Sequence, residues 1–269
     1  MSTATVELQR LAGTDLGTHT STYDDTATIL YALAVGASAT ELDLVYERDL
    51  RAMPTYACAM GLWAVEAAGR LGAYDPRRSL HAGQRLVIHR PLPASGSIPM
   101  TGRVANVYDK GKAAVVEIEV SSEVFSTVYT IFLPGLGGWG GDRGPAADRG
   151  EPVPPTTWTT FATSPNLAAL YRLTGDRHPV HIDPDVATAN GFDRPILHGL
   201  CTLGITARIV AGQVGAHPAG LEWLDARLAA PVLPGDTLEI GSGTRDGLAY
   251  LTARSGDMTV LTGRARYCV

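Results

Sequence analysis

Apolar positions along this chain recur with helical and strand periods in turn, and the same succession runs twice. In the first half, Asp25 is placed to cap a helix running over about 25–36, with Ile29, Leu30, Leu33 and Ala34 on one face. A longer helix is predicted over about 55–70. Its Ala, Met, Leu, Trp63 and Val65 leave hardly a polar face, so it should be buried. Strand-like runs follow at 84–90, 100–108, 113–120 and 124–133, and Asp109-Lys110-Gly111 supplies a hairpin turn between two of them.

The second half repeats the order. A short helix at about 164–173 leads through a loop to another that starts at Pro184, and a long apolar helix returns at about 199–214. Strands are predicted at 221–230, 237–243, 249–254 and 259–267. Even the joints correspond, since R-P-L-P-A-S-G in one half resembles A-P-V-L-P-G-D in the other. A long buried helix followed by antiparallel strands suggests an α+β unit in which a sheet wraps that helix, present twice. The expected division is 1–141 and 157–269, joined by a Gly- and Pro-rich linker at 142–156.

Composition narrows the function classes. Of 269 residues, 45% are apolar and 18% are charged, which fits a folded soluble protein and argues against disorder. The net charge is −5 and Arg77-Arg78 is the longest basic run, so a nucleic-acid partner is not expected. A ligand bearing a few phosphates stays open. No run approaches the roughly 18 apolar residues of a membrane helix, so no membrane partner is expected. The beginning lacks the features of a signal peptide, and the end carries no retention or peroxisomal tripeptide. Cys58, Cys201 and Cys268 are odd in number and widely spaced, which fits a reducing cytoplasm; Cys58 and Cys201 are expected to be buried, inert thiols.

Gly135, Gly137 and Gly140 spell G-x-G-x-x-G after a strand. A dinucleotide fingerprint needs a helix opening at the last glycine, and G-D-R-G-P cannot start one, so no nicotinamide or flavin cofactor is inferred. The segment reads as a glycine-rich strand exit. A G-x-S-x-G elbow and paired-cysteine metal spacings are absent.

The chemistry concentrates at Asp176, His178 and His181, bracketed by Gly175 and Pro179. Gly175 permits a tight turn, and Pro179 pushes His178 toward an extended conformation, so these side chains project from a rigid loop. Groups whose pKa values can approach neutrality, held around one water, are what acid–base catalysis requires. Downstream, R-P-I-L-H-G leads straight into the long apolar helix, where Gly199 offers a free N–H to an oxygen that becomes anionic.

The run Y-R-L-T-G-D-R-H-P-V-H-I-D-P-D-V-A, followed by G-F-D-R-P-I-L-H-G-L-C-T, resembles the signature of the hydratase 2 family, the MaoC-like (R)-specific enoyl-CoA hydratases. L-Y-A-L-A-V-G-A, H-R-P-L-P-A-S-G, V-Y-D-K-G-K-A-A-V-V and F-L-P-G-L-G-G-W-G-G resemble the first half of its double hot-dog members. The resemblance implies two antiparallel sheets, each around a long helix and packed as a pseudo-dimer. It also implies a degenerate N-terminal unit that takes the acyl chain, and a homodimer. Asp176 and His181 would hold the water, His181 activating it toward the β-carbon and Asp176 exchanging the α-proton. Gly199 would bind the thioester oxygen of an acyl-CoA or acyl-carrier-protein substrate. No metal or redox cofactor is implied.

One departure stands out: the family usually has Asn where this chain has His178. On the substrate side the candidates are His198, as an orienting group, with Arg194, Lys110 and Lys112 to meet carrier phosphates. Three rivals remain: a metal site built from D-x-H-x-x-H, a hot-dog thioesterase, and a noncatalytic acyl-thioester-binding subunit. His81, His89 and His217 read as ordinary surface or strand-end residues, His19 as solvated, and Trp63 as core.

Overall fold

Strict alternation of buried and part-exposed residues builds the central strands. In F-S-T-V-Y-T-I-F-L-P, Phe125, Thr127, Tyr129, Ile131 and Leu133 all turn inward. The computed structural model describes residues 7–146 and 153–268, so residues 147–152 of the expected linker lie outside the described residues. Its first half runs β1 (Asp15–Tyr23), α1 (Asp25–Ala34), α2 (Leu42–Val45), α3 (Tyr56–Met60), α4 (Leu62–Arg70), β2 (Leu80–Ile88), β3 (Gly96–Asp109), β4 (Ala113–Ser121) and β5 (Phe125–Pro134). The second half runs β6 (Thr157–Ala162), α5 (Leu167–Tyr171), α6 (Pro184–Ala189), α7 (Gly199–Gln213), β7 (Leu221–Leu228), β8 (Thr237–Arg245), β9 (Leu248–Ser255) and β10 (Met258–Tyr267).

The strand order is β1-β3-β4-β5-β2-β7-β10-β9-β8-β6. Every neighbouring pair is antiparallel, and the two halves mirror one another about the middle of the list. This is a double hot-dog. Its two sheets are joined edge to edge into one of ten strands, because β2 and β7 pair from Gly83↔Arg227 to Val87↔Trp223. Backbone groups that would otherwise need covering at two inner edges are thereby satisfied.

Several elements depart from the sequence reading. Asp24, not Asp25, caps α1, accepting from the Ala27 N–H at 2.8 Å. Its buried face carries Thr28, Tyr31, Ala32 and Ala34, while Leu33 is 43% exposed. The reason is a close crossing with α7: a Cβ at Gly204 would fall 2.6 Å from Val35 Cγ1 and 2.9 Å from the Tyr31 hydroxyl oxygen. The long first-half helix is divided at Gly61. There the Tyr129 hydroxyl donates to Cys58 O at 2.6 Å and fills the space a side chain at Gly61 would need. The outermost strands β1 and β6 are threonine-rich and largely exposed, so they lack the alternation that marks a strand. His19 on β1 stacks on Trp63 at 5.4 Å. No helix among the described residues is long and apolar enough to cross a membrane.

The glycine-rich strand exit after β5 wraps a carboxylate. Asp109 accepts from the N–H groups of Gly111 (2.7 Å), Gly138 (2.8 Å) and Gly140 (2.7 Å). The N–H of Gly138, opposed by burial and joined by those of Gly111, Gly140 and Gly141, draws its carboxyl down to about 2. Gly137 lies so close to the β3–β4 hairpin that a Cβ would stand 2.5 Å from Ala113 O.

Two outcomes test this packing. Gly204→Val overfills the α1–α7 crossing and lowers unfolding free energy by about 1–3 kcal/mol in denaturant titrations, with Val35→Ala in the same chain restoring part of it. The Asp109 clamp has a folded pKa below the ordinary 3.8, so its contribution is present above that value and lost as pH falls through about 2. The melting temperature of Asp109→Asn therefore lies below wild type near neutrality, and the gap closes toward pH 2; a gap independent of pH contradicts the clamp.

Candidate active site

The loop between α5 and α6 is folded largely by its own side chains. Gly175 sits at φ +139°, a conformation for which a side chain would be strained, and the turn delivers Asp176. Asp176 Oδ1 accepts from the His178 N–H at 3.2 Å. Pro179 then opens a 3₁₀ turn over Pro179–His181, where its missing N–H costs nothing. His178 caps that turn: its Nδ1 accepts from the Val180 N–H at 3.3 Å. An acceptor on the residue just before the loop proline is a role Asn fills with its side-chain oxygen, so His178 reproduces the cap with a ring nitrogen.

His181 is oriented from the other side. Its Nδ1 donates to Ile196 O at 2.9 Å, which leaves Nε2 without a proton and able to accept. Three residues on, Gly199 opens α7, and its N–H bonds no other described residue. Leu228 packs so tightly here that a Cβ at position 199 would lie 2.6 Å from its Cδ1.

Asp176, His178, His181 and Gly199 line one cavity of about 520 Å³. Its opposite wall comes from the first half, through Leu62, Val65, Leu80, His81 and Ile131. Burial opposes ionisation of Asp176, but the charge that His198 and His181 carry at acid pH, with the His178 N–H, holds its carboxyl below the ordinary range. Burial depresses His178 and His181, against the pull of Asp176. At neutral pH the cavity therefore presents a carboxylate beside a neutral imidazole acceptor.

Asp176, His181 and His198 have ligating atoms within 4.8 Å of one another, which revisits the metal reading with His198 in place of His178. The geometry fits a cation poorly. His181 and His198 stack at 3.7 Å with planes 29° apart, so the in-plane lone pairs of the two rings run side by side rather than converging on one point.

Four of the candidate positions lie off the cavity wall. His198 is 0% exposed and off the cavity wall, because it is packed under the start of α7. Arg194 is exposed and also off the wall. Lys110 and Lys112 belong to the exposed β3–β4 hairpin; Lys110 lies over the Tyr108 ring and donates to Arg143 O. Conversely, His81 is no ordinary surface residue. It lines the cavity, donates from Nε2 to Gly83 O at 3.0 Å and has its pKa lowered by burial. Arg77 and Arg177 line the cavity as well, one from each half. Nothing periodic marks these three, which are distant in sequence and meet only on the wall of the folded cavity.

The hydrogen bonds dictate the proton positions. Near neutral pH, long-range ¹H–¹⁵N spectra are expected to show His181 carrying its proton on Nδ1 and His198 on Nε2. His198 stays neutral down to about 3 because of burial and then His181, whereas the unfolded residue protonates near 6.5. Its contribution to stability is thus present above 6.5 and declines as pH falls toward 3, so denaturation midpoints should drop from about pH 7 to about pH 4. The opposite tautomers would contradict this site.

Known proteins share this organisation. The MaoC like domain matches residues 148–247, and the MFE-2 hydratase 2 N-terminal domain matches residues 21–134. The 3-hydroxyacyl-thioester dehydratase Y of Mycobacterium tuberculosis is 39% identical over 233 residues, covering 80% of each chain. The peroxisomal enoyl-CoA hydratase 2 of Arabidopsis thaliana is 34% identical over 248 residues, covering 81% of this chain and 80% of its own. The crystal structure of a MaoC-like dehydratase from Phytophthora capsici superposes with a TM-score of 0.84 at 28% identity, over 97% of both chains. With the hot-dog unit present twice and both domain families matched in order, the chain belongs to the MaoC-like hydratase 2 family.

Proposed function

We propose that this chain is a hydro-lyase that adds water reversibly and syn across a trans-2-enoyl thioester, giving an (R)-3-hydroxyacyl product. The observation that carries the reading is that Asp176, the acceptor nitrogen of His181 and Gly199, whose N–H bonds no other described residue, line one cavity. The names of its relatives, a 3-hydroxyacyl-thioester dehydratase and an enoyl-CoA hydratase 2, support the same class.

In this mechanism a water donates one O–H to the Asp176 carboxylate and the other to His181 Nε2. Its oxygen attacks the β-carbon while His181 holds the O–H that stays with the new hydroxyl. The proton on the Asp176 side passes through the carboxylate to the α-carbon on the same face. One water is consumed, and both side chains end in their starting protonation states. The Gly199 N–H, at the positive end of α7, meets the thioester oxygen as negative charge builds there. Preservation of the loop cap by His178 supports continued hydration chemistry at this departure from the family pattern.

The wider assignments follow the same reading. Residues 1–141 act as the acyl-chain half and 157–269 as the half bearing the loop, and the apolar wall of Leu62, Val65, Leu80 and Ile131 supports that division. The carrier is CoA or an acyl carrier protein, the setting is fatty acid metabolism in the cytoplasm, and the working form is a homodimer.

Hydration of enoyl-CoA substrates of graded chain length tests the proposal. Asp176→Asn and His181→Gln should each lose about 10²–10⁴-fold in turnover, and His178→Asn, which keeps the cap, should stay active. Full activity in His181→Gln would sink the mechanism.

A further inference from the structure

His198 does not reach the cavity, yet it bears on both groups that would hold the water. It is fully buried at the cap of α7, and its Nε2 donates to the main-chain oxygen of Asp176 at 3.1 Å. The same ring stacks on His181, centroids 3.7 Å apart and planes 29° from parallel. Tyr171 packs against it at 4.9 Å. Its Nδ1 is enclosed and meets no donor or acceptor among the described residues. A second proton would therefore sit on a buried nitrogen with nothing to receive it, and the surroundings enforce a neutral ring.

We propose that His198 is a positioning residue for the hydration reaction: one neutral imidazole fixes the main chain of Asp176 and the ring plane of His181 together. The inference rests on the hydration reading and deepens it. Two groups sharing one water must keep a common geometry, and small displacements between them cost rate steeply. Holding both from a single buried ring couples their positions through atoms that never touch substrate. The face of that ring also lies against His181 where partial positive charge develops as the imidazole draws on the water O–H, an arrangement that favours the charge.

Three substitutions separate the two contacts. His198→Phe keeps a ring beneath His181 and removes the N–H to Asp176. His198→Gln keeps an N–H near the same place and removes the ring, and His198→Leu removes both. Expected is a fall in kcat of about tenfold for Phe and for Gln and about a hundredfold for Leu, with KM within about twofold throughout. Equal losses in all three variants, or a raised KM at unchanged kcat, would overturn the positioning role. A readout independent of turnover accompanies the kinetics. The His181 ring protons should be ring-current shifted in wild type and His198→Phe and return to ordinary positions in His198→Gln; an unshifted wild type overturns the stacking. An inert wild type refutes the hydration reading itself, whereas an active wild type with three unaffected variants refutes only the role of His198.

Discussion

The pairing of β2 with β7 is the constraint on which the rest depends. Five backbone registers, from Gly83↔Arg227 to Val87↔Trp223, join two sheets that could otherwise have remained separate units. The cavity straddles this junction. Leu80 and His81 open one strand of the pair, and Leu228, Ala229 and Ala230 close and follow the other, so both strands line the cavity. Loss of that register would pull the apolar wall of one half away from the loop of the other. Leu228 ties the junction to the chemistry directly, since its side chain is what excludes a Cβ at Gly199.

Within the second half, rigidity comes from short-range bonds rather than from length of secondary structure. Gly175, the His178 cap, the Ile196 carbonyl and the His198 ring each restrain a different part of a loop that contains little regular structure. The restraints are mutually consistent with one protonation pattern. Each imidazole has its proton assigned by a main-chain partner, so the electrostatics of the cavity are set before any ligand arrives.

Much of this was legible in the sequence, for physical reasons that also explain the rest. Central strands such as β4 and β5 announce themselves because one face is buried, and α7 because ten of its residues are. The loop at 175–181 was readable because Gly and Pro punctuate it and its chemistry lies within six residues. The edge strands β1 and β6 were not, since exposure removes the alternation. The division at Gly61 was hidden because its cause, the hydroxyl of Tyr129, lies on another strand. The same holds for His81: a histidine at a strand start has no local mark that says what it will face. Arg194, Lys110 and Lys112 show the converse, because charge alone says nothing of distance from a cavity.

The glycine run after β5 has a consequence of another kind. Such runs attract attention as receptors for phosphate, since successive N–H groups turned to one point make a site for any anion. Here the anion is supplied by the chain itself, from Asp109, about thirty residues upstream of the glycines that bind it. The protein thus holds receptor and ligand in one polypeptide, and a nucleotide phosphate would have to displace a tethered competitor that never diffuses away.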